Sequence, residues 1–322
     1  MAFARQSVFS IRKGREQGDI VKGMEQNGSK KRRNPWGILA IVFAVAACVC
    51  IGFLIKTSID SKRRADEMSD LVKIMTGTEI SNPTSSEPSQ GSEVTSTDAS
   101  TEPTASPEPV DPFEESIKLA EKAGVPIPDL EVDLKNLQET VNADIYAWIY
   151  VPGTKVNYPV LQHPTDDSYY LNYNLDGSKG YPGCIYTEKT YNNKEFTDHN
   201  TVLYGHNMKN GTMFGSLHKY EDEDFFYENR YVYVYTQDRL LVYKIFAAYD
   251  HSNEHLLYNN NFSTPQRVEY YYECVKEERS MHYIFDESVE LSGEEHFITL
   301  STCINNRPEN RFLVQGVLIN EE

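Results

Sequence analysis

His296–Ile319 reads HFITLSTCINNRPENRFLVQGVLI. Two apolar runs within it, Phe297–Leu300 and Phe312–Ile319, are rich in β-branched and aromatic residues and read as strands. The polar segment between them, Ile304–Asn310 with Pro308, reads as a short loop. Cys303 then stands where the first strand ends, and Arg311 where the second begins. A thiol and a guanidinium are thereby held at one end of two neighbouring strands, on rigid elements. A thiolate is a good nucleophile for an acyl carbon, and a fixed cation beside it lowers its pKa or stabilises an oxyanion. Such chemistry also needs a base, and His206 in LYGHNM is the best candidate.

Composition narrows the class. The chain has 322 residues and a formal net charge of −17, which argues against nucleic acid as a partner, since phosphate binding needs a basic patch. The 22 tyrosines within an aromatic content of 12% favour a β-rich fold with many packed rings. The five cysteines form neither a disulfide framework nor a C-x-x-C metal pattern. Cys184, in an apolar run, and Cys274, on a helix away from its apolar face, read as structural. Taken alone Cys303 could be a buried strand residue, and Arg311 a surface charge paired with Glu309; the two together in this setting favour chemistry.

The N-terminal third has a different organisation. Residues 1–34 are polar and basic, ending in Lys30-Lys31-Arg32-Arg33, and read as a cytoplasmic tail. Pro35–Ile55 is apolar and uncharged, long enough for one transmembrane helix. The basic cluster before it places the N-terminus inside and the remainder outside, a single-pass protein of the cell membrane. A cleaved signal peptide would need a shorter core and an A-x-A site. A lipoprotein box at Val45-Ala46-Ala47-Cys48 would not need the apolar run that follows. Residues 56–112 read as an extracellular stalk. Within it Asp60–Met75 is a short helix, and from residue 76 a Ser/Thr/Pro-rich tract without Lys or Arg is a disordered linker. As a coil that tract spans about 30 Å, enough to let a membrane-held domain reach into a surrounding wall.

The folded domain is expected at 113–322. Two N-terminal helices open it: Phe113–Ala123, closed by Gly124, and one capped by Asp133. Strands are expected at Ala147–Tyr150, Tyr158–Leu161, Gly183–Tyr186, Thr201–Tyr204, Tyr231–Tyr235 and Leu240–Ala248, besides the two in the opening stretch. Eight short strands in a mainly β chain with inserted helices suggest a closed barrel. A helix from Pro265 to about Ser280, capped by Thr264, interrupts the strands and is expected to wall a site. His251-Ser-Asn-Glu-His255 matches an inverted zinc-protease signature, but that motif works only on a helix, and this one lies in loop-forming sequence. No metal or other cofactor is called for. Asn210-Gly-Thr212 reads as a turn rather than a glycosylation site.

The residues resemble the class B sortases, cysteine transpeptidases of the Gram-positive cell surface. The resemblance covers about residues 133–322 and rests on DIYAWIYVPGT (Asp144–Thr154), NYPVLQ (Asn157–Gln162), LYGHNMKNGTMFGSL (Leu203–Leu217), TLSTC (Thr299–Cys303) and NRFLVQGVL (Asn310–Leu318). The long helix before the Cys strand points to class B. The resemblance implies an eight-stranded sortase-type β-barrel and the catalytic residues His206, Cys303 and Arg311. Cys303 would attack a C-terminal sorting signal of an exported protein, and His206 would shuttle the proton. Arg311 would bind the substrate backbone and the oxyanion. An amine of a peptidoglycan precursor, or of a pilin, would resolve the acyl-enzyme. Positional matching implies substrate contacts at Leu171, Tyr283, Ile284 and Ser301. One departure is Asn305, where some members carry an acidic residue two positions after the Cys. The competing functions are a pilin-polymerising sortase, a cysteine peptidase releasing product to water, and a catalytically silent wall-binding module.

Overall fold

Two strand registers place the site. The computed structural model describes residues 46–56, 58–59, 63 and 111–321. The chain divides into two compact units, Met1–Leu54 and Ile55–Glu322. Of the span expected at 35–55, residues 46–55 are described; they are helical, and Val49, Ile51, Phe53 and Leu54 are exposed. Among the described residues no helix is long and apolar enough to cross a membrane. Residues 35–45, the tail 1–34, the helix expected over Asp60–Met75 (Arg63 apart) and the linker from 76 to 110 lie outside the described residues.

The larger unit opens with helix α1 (Pro112–Lys122), whose first turn is capped by Asp111 accepting from the Phe113 amide at 3.0 Å. Helix α2 (Leu134–Thr140) is capped by Asp133, which accepts from the Asn136 amide at 2.9 Å. Strands β1 (Ile145–Tyr150), β2 (Asn157–Leu161), β3 (Ile185–Tyr186), β4 (Asn200–Tyr204), β5 (Tyr231–Tyr235), β6 (Leu240–Ser252), β7 (Tyr283–Phe285), β8 (Phe297–Ile304) and β9 (Arg307–Leu318) form one mixed sheet. Its order is β5-β1-β2-β3-β4-β8-β9-β6-β7. A further pairing of β5 with β6 closes eight strands into a barrel. The short ninth strand β7 pairs with β6 at Ala247–Tyr249, past the stretch that β5 occupies. Closure leaves few strand edges open to unwanted pairing.

Alternation along the strands separates two apolar clusters. Ile298, Leu300, Phe312 and Val314 point into the cluster that fills the barrel. Phe297, Leu313 and Val317 point to the other face, into a cluster completed by Val268, Tyr271, Tyr272 and Val275 of helix α6 (Pro265–Lys276). Short helices α3 (Tyr169–Asn172), α4 (Glu223–Glu228) and α5 (Leu256–Asn259) and a 3-10 helix over Gly215–Glu221 lie in the connections.

The opening stretch departs from its expected form in one instructive way. The segment read as a loop, Ile304–Asn310, is mostly strand: Ile304 pairs with Arg307, and only Asn305 and Asn306 turn the chain. Asn306 takes φ +62°, a left-handed conformation that asparagine tolerates. Pro308 sits in an arm whose other neighbour is the far end of β6, Ser252 pairing with Asn310. Strand β6 therefore runs to Ser252 rather than stopping at Ala248. Helix α6 ends at Lys276 rather than near Ser280, and Thr264 stands at its N-cap without a side-chain capping bond.

Candidate active site

Strand β4 runs parallel to β8, with Tyr204 opposite Ser301. The pairing continues one residue further, where the Gly205 amide donates to the Ser301 carbonyl at 3.2 Å. It is then latched by the Thr302 hydroxyl donating to the Gly205 carbonyl at 2.8 Å. Residues 206 and 303 are thus carried side by side off two adjacent strand ends. Strands β8 and β9 are antiparallel, and Cys303 lies directly opposite Arg311. Opposed residues of a ladder share a face, so thiol and guanidinium project to the same side. His206, Cys303 and Arg311, distant in sequence, line one cleft of about 230 Å³. Gly205 matters here through close approach: a Cβ at that position would come within 2.5 Å of Ile185 Cδ1 and 2.7 Å of the Phe214 ring.

Each group is oriented by fixed partners. His206 Nε2 lies 2.8 Å from the Leu171 carbonyl, which can only accept, so the proton of the neutral ring belongs on Nε2 and Nδ1 is left to exchange one. The Tyr181 ring packs edge-on against the imidazole, centroids 4.8 Å apart. Burial pulls the His206 pKa below its ordinary value, with the Leu171 carbonyl acting in the opposite direction. Arg311 Nη1 donates to the carbonyls of Pro308 and Asn310 at 3.0 and 2.9 Å, bracing the guanidinium on the hairpin. Cys303 is exposed, unlike the buried Cys184, whose thiol burial pushes upward in pKa.

The cleft wall comes from an unexpected place. Helix α6 spends its buried face on the outer cluster and is not among the lining residues. Instead His251, Asn253, Glu254, His255 and Leu256, from the end of β6 to the start of α5, form the wall. The histidines of the zinc-like motif have other occupations. His251 lies on a strand, and His255 caps α5 through Nδ1 while its Nε2 lies 2.8 Å from Glu188. Leu171 and Ser301 line the cleft. Tyr283 and Ile284 do not; they lie on β7, Tyr283 donating to the Lys276 carbonyl and Ile284 packing on the barrel core. Sequence reasoning overlooked Tyr186 and Tyr204, which line the cleft and stand opposite each other where β3 pairs with β4.

The sortase-domain family profile matches residues 149–319. That match takes in more than half of the chain, with His206, Cys303 and Arg311 inside it. The chain belongs to the sortase family. Sortase B of Listeria monocytogenes is 34% identical over 194 residues, 59% of this chain and 75% of its own length. Sortase B of Staphylococcus aureus is 28% identical over 165 residues, 51% of this chain and 65% of its own. The X-ray structure of Clostridium perfringens sortase B superposes with a TM-score of 0.52 at 31% identity, over 58% of this chain and 100% of that one. This sortase is therefore a cysteine transpeptidase built on a closed eight-stranded mixed barrel.

Two expected results follow from the site's surroundings. Asp250, 2% exposed, holds the hairpin by an ion pair with Arg307 Nη1, and His282 Nδ1 lies 3.2 Å from the same carboxylate. Removing Arg307 takes the cation from a buried carboxylate, but Arg307 is about a third exposed and His282 stays beside Asp250. Arg307→Ala is expected to cost about 1 to 2 kcal/mol, read as a fall of about 2–8 °C in the unfolding midpoint; an unchanged midpoint would remove the role given to Asp250.

The second concerns pH. The folded pKa of His206 lies below the unfolded value, and burial moves His251 the same way. The unfolded chain then binds more protons, so the stability these rings contribute is present above the unfolded histidine pKa. It is lost as pH falls through the folded values. Unfolding free energy measured in denaturant should decline below neutrality, and less steeply in His206→Gln. Equal slopes would show that His206 is not held neutral by burial.

Proposed function

We propose that Cys303, His206 and Arg311 carry out sorting-signal transpeptidation, and the observation that supports this best is the pair of registers that sets all three at one cleft. His206 Nδ1 takes the Cys303 thiol proton, and the thiolate adds to the scissile carbonyl carbon of a C-terminal sorting signal on an exported protein. The Arg311 guanidinium stabilises the oxyanion that forms. His206 delivers its proton to the departing amine as the C–N bond breaks, leaving a thioester on Cys303. An incoming amine of a peptidoglycan precursor then attacks the thioester, gives its proton to His206 and expels the thiolate. One amide is broken and one formed, with no change of oxidation state. Leu171 and Ser301 contact the signal peptide from the cleft lining.

The same reading extends to the whole chain. Residues 1–34 form a cytoplasmic tail, 35–55 a single membrane span, 56–112 a stalk, and 113–322 the catalytic domain at the cell exterior. The apolar sequence of Pro35–Ile55 and the basic cluster before it support that layout.

The discriminating assay supplies the enzyme with a sorting-signal peptide and a wall-peptide amine, and follows the ligated product by mass. A ligated product whose yield rises with the wall-peptide amine is expected. Release of the cut peptide to water alone, indifferent to amine, would make the protein a cysteine peptidase. Ligation only to the lysine of a pilin would make it a pilus polymerase.

A further inference from the structure

The residue after His206 reaches the residue it must work with. Asn207 Nδ2 lies 2.8 Å from the Cys303 carbonyl and 2.9 Å from His218 Nε2. His218 Nδ1 lies 2.5 Å from Glu221 Oε1. The partners decide the protons. A carboxylate can only accept, so Nδ1 of His218 carries hydrogen. The lone pair of a neutral ring is then on Nε2 and takes one amide hydrogen of Asn207, whose other hydrogen goes to the Cys303 carbonyl. Nε2 is also 3.0 Å from that carbonyl oxygen, so a doubly protonated ring would hold it directly.

The location of this chain of bonds suggests its purpose. The β8–β9 ladder breaks register between Cys303 and Ile304, at the peptide whose carbonyl Asn207 holds. The His218 ring stacks on Phe312, centroids 5.0 Å apart at 22°, and Phe312 follows Arg311 on the barrel-facing side of β9. Asn207, His218 and Glu221 are absent from the cleft lining. Asn207 and His218 touch the backbone carbonyl of Cys303, and His218 also packs on Phe312, the neighbour of Arg311.

We propose that Asn207, His218 and Glu221 form a positioning relay that sets the nucleophile against the base. Glu221 fixes the His218 ring, His218 orients the Asn207 amide, and Asn207 fixes the peptide of Cys303 relative to His206. The proposal rests on the assignment of Cys303 and His206 made above. Misplacing reacting groups by about 1 Å costs on the order of 100-fold in rate, whereas a group that does not touch substrate should leave KM alone.

The test uses the full-length chain and a sorting-signal peptide, measuring single-turnover acylation, KM, thermal midpoint and alkylation of Cys303 by iodoacetamide. Asn207→Ala and His218→Phe are expected to lower the acylation rate about 10- to 100-fold. KM and alkylation should stay at wild-type values. His218→Gln, whose amide oxygen can replace Nε2 as acceptor, should recover part of the loss. Glu221→Ala should act in the same direction, and its partly exposed side chain makes it a second variant that folds. Acylation by the wild type but not by Cys303→Ala secures the site itself. Against that background, Asn207→Ala or Glu221→Ala reacting at the wild-type rate overturns the relay. So does a rate loss in Asn207→Ala, Glu221→Ala and His218→Phe that is matched by a fallen midpoint, with His218→Gln no faster than His218→Phe, which is the mark of structural damage alone.

Discussion

Replacing Cys303 with alanine is expected to abolish transpeptidation while leaving the fold intact. The side chain is exposed at the end of β8, so its loss empties no core and leaves no buried group unpaired. Its chemistry has no substitute nearby. Of the other cysteines in the unit Ile55–Glu322, Cys184 is buried and Cys274 lies exposed on α6, and neither lines the cleft. Loss of the nucleophile in an enzyme of this kind costs on the order of 10⁶-fold in kcat, so turnover should fall to the uncatalysed background. The check is product formation from a sorting-signal peptide, with the unfolding midpoint measured in parallel. Residual turnover above background would place the nucleophile elsewhere.

Arg311 carries the second large expectation. Its position opposite Cys303 is dictated by the β8–β9 register, and its Nη1 is tied to the carbonyls of Pro308 and Asn310. A guanidinium held this way costs no reorganisation when charge develops on the scissile oxygen, and removing such a donor typically costs a factor of about 100 to 1000. Arg311→Ala should lower kcat by that factor. Arg311→Lys should recover little, because an ammonium on a flexible stem reproduces neither the planar fork nor its bracing. Full recovery by lysine would reduce the role of Arg311 to that of a point charge.

How much of this was legible in the sequence depends on which distances are local. The thiol and guanidinium could be set together from His296–Ile319 because a hairpin is short-range: two apolar runs and a polar break are enough. Even there, β-propensity underestimated the strands. Arg307–Arg311 is polar and contains a proline, and it is strand because Arg307 pairs back on Ile304 and β6 reaches out to pair with Asn310 and Arg311. His206 was found from its motif, but its placement beside Cys303 depends on parallel pairing between strands nearly a hundred residues apart, which no local pattern encodes. The same limit explains the misplaced wall. Amphipathic spacing located the buried face of α6 correctly, at Val268, Tyr271, Tyr272 and Val275, yet a buried face says nothing of which surface it covers. That face covers the outside of the barrel, and the wall falls to His251–Leu256, a stretch whose histidines had drawn attention only as a metal motif. Strand β7 was unreadable for a similar reason: Tyr-Ile-Phe is too short to show alternation. His218 gave no signal, since its importance lies wholly in what packs around it.

The central claim is that Cys303 forms a thioester with the N-terminal part of a sorting signal, and intact-mass analysis of the full-length chain incubated with such a peptide tests it most directly. The expected result is a mass gain equal to the peptide up to the scissile bond, absent in Cys303→Ala and discharged on adding a wall-peptide amine. A thiol that reacts with iodoacetamide but acquires no peptide mass from any sorting signal, or an adduct that persists in Cys303→Ala, would contradict it.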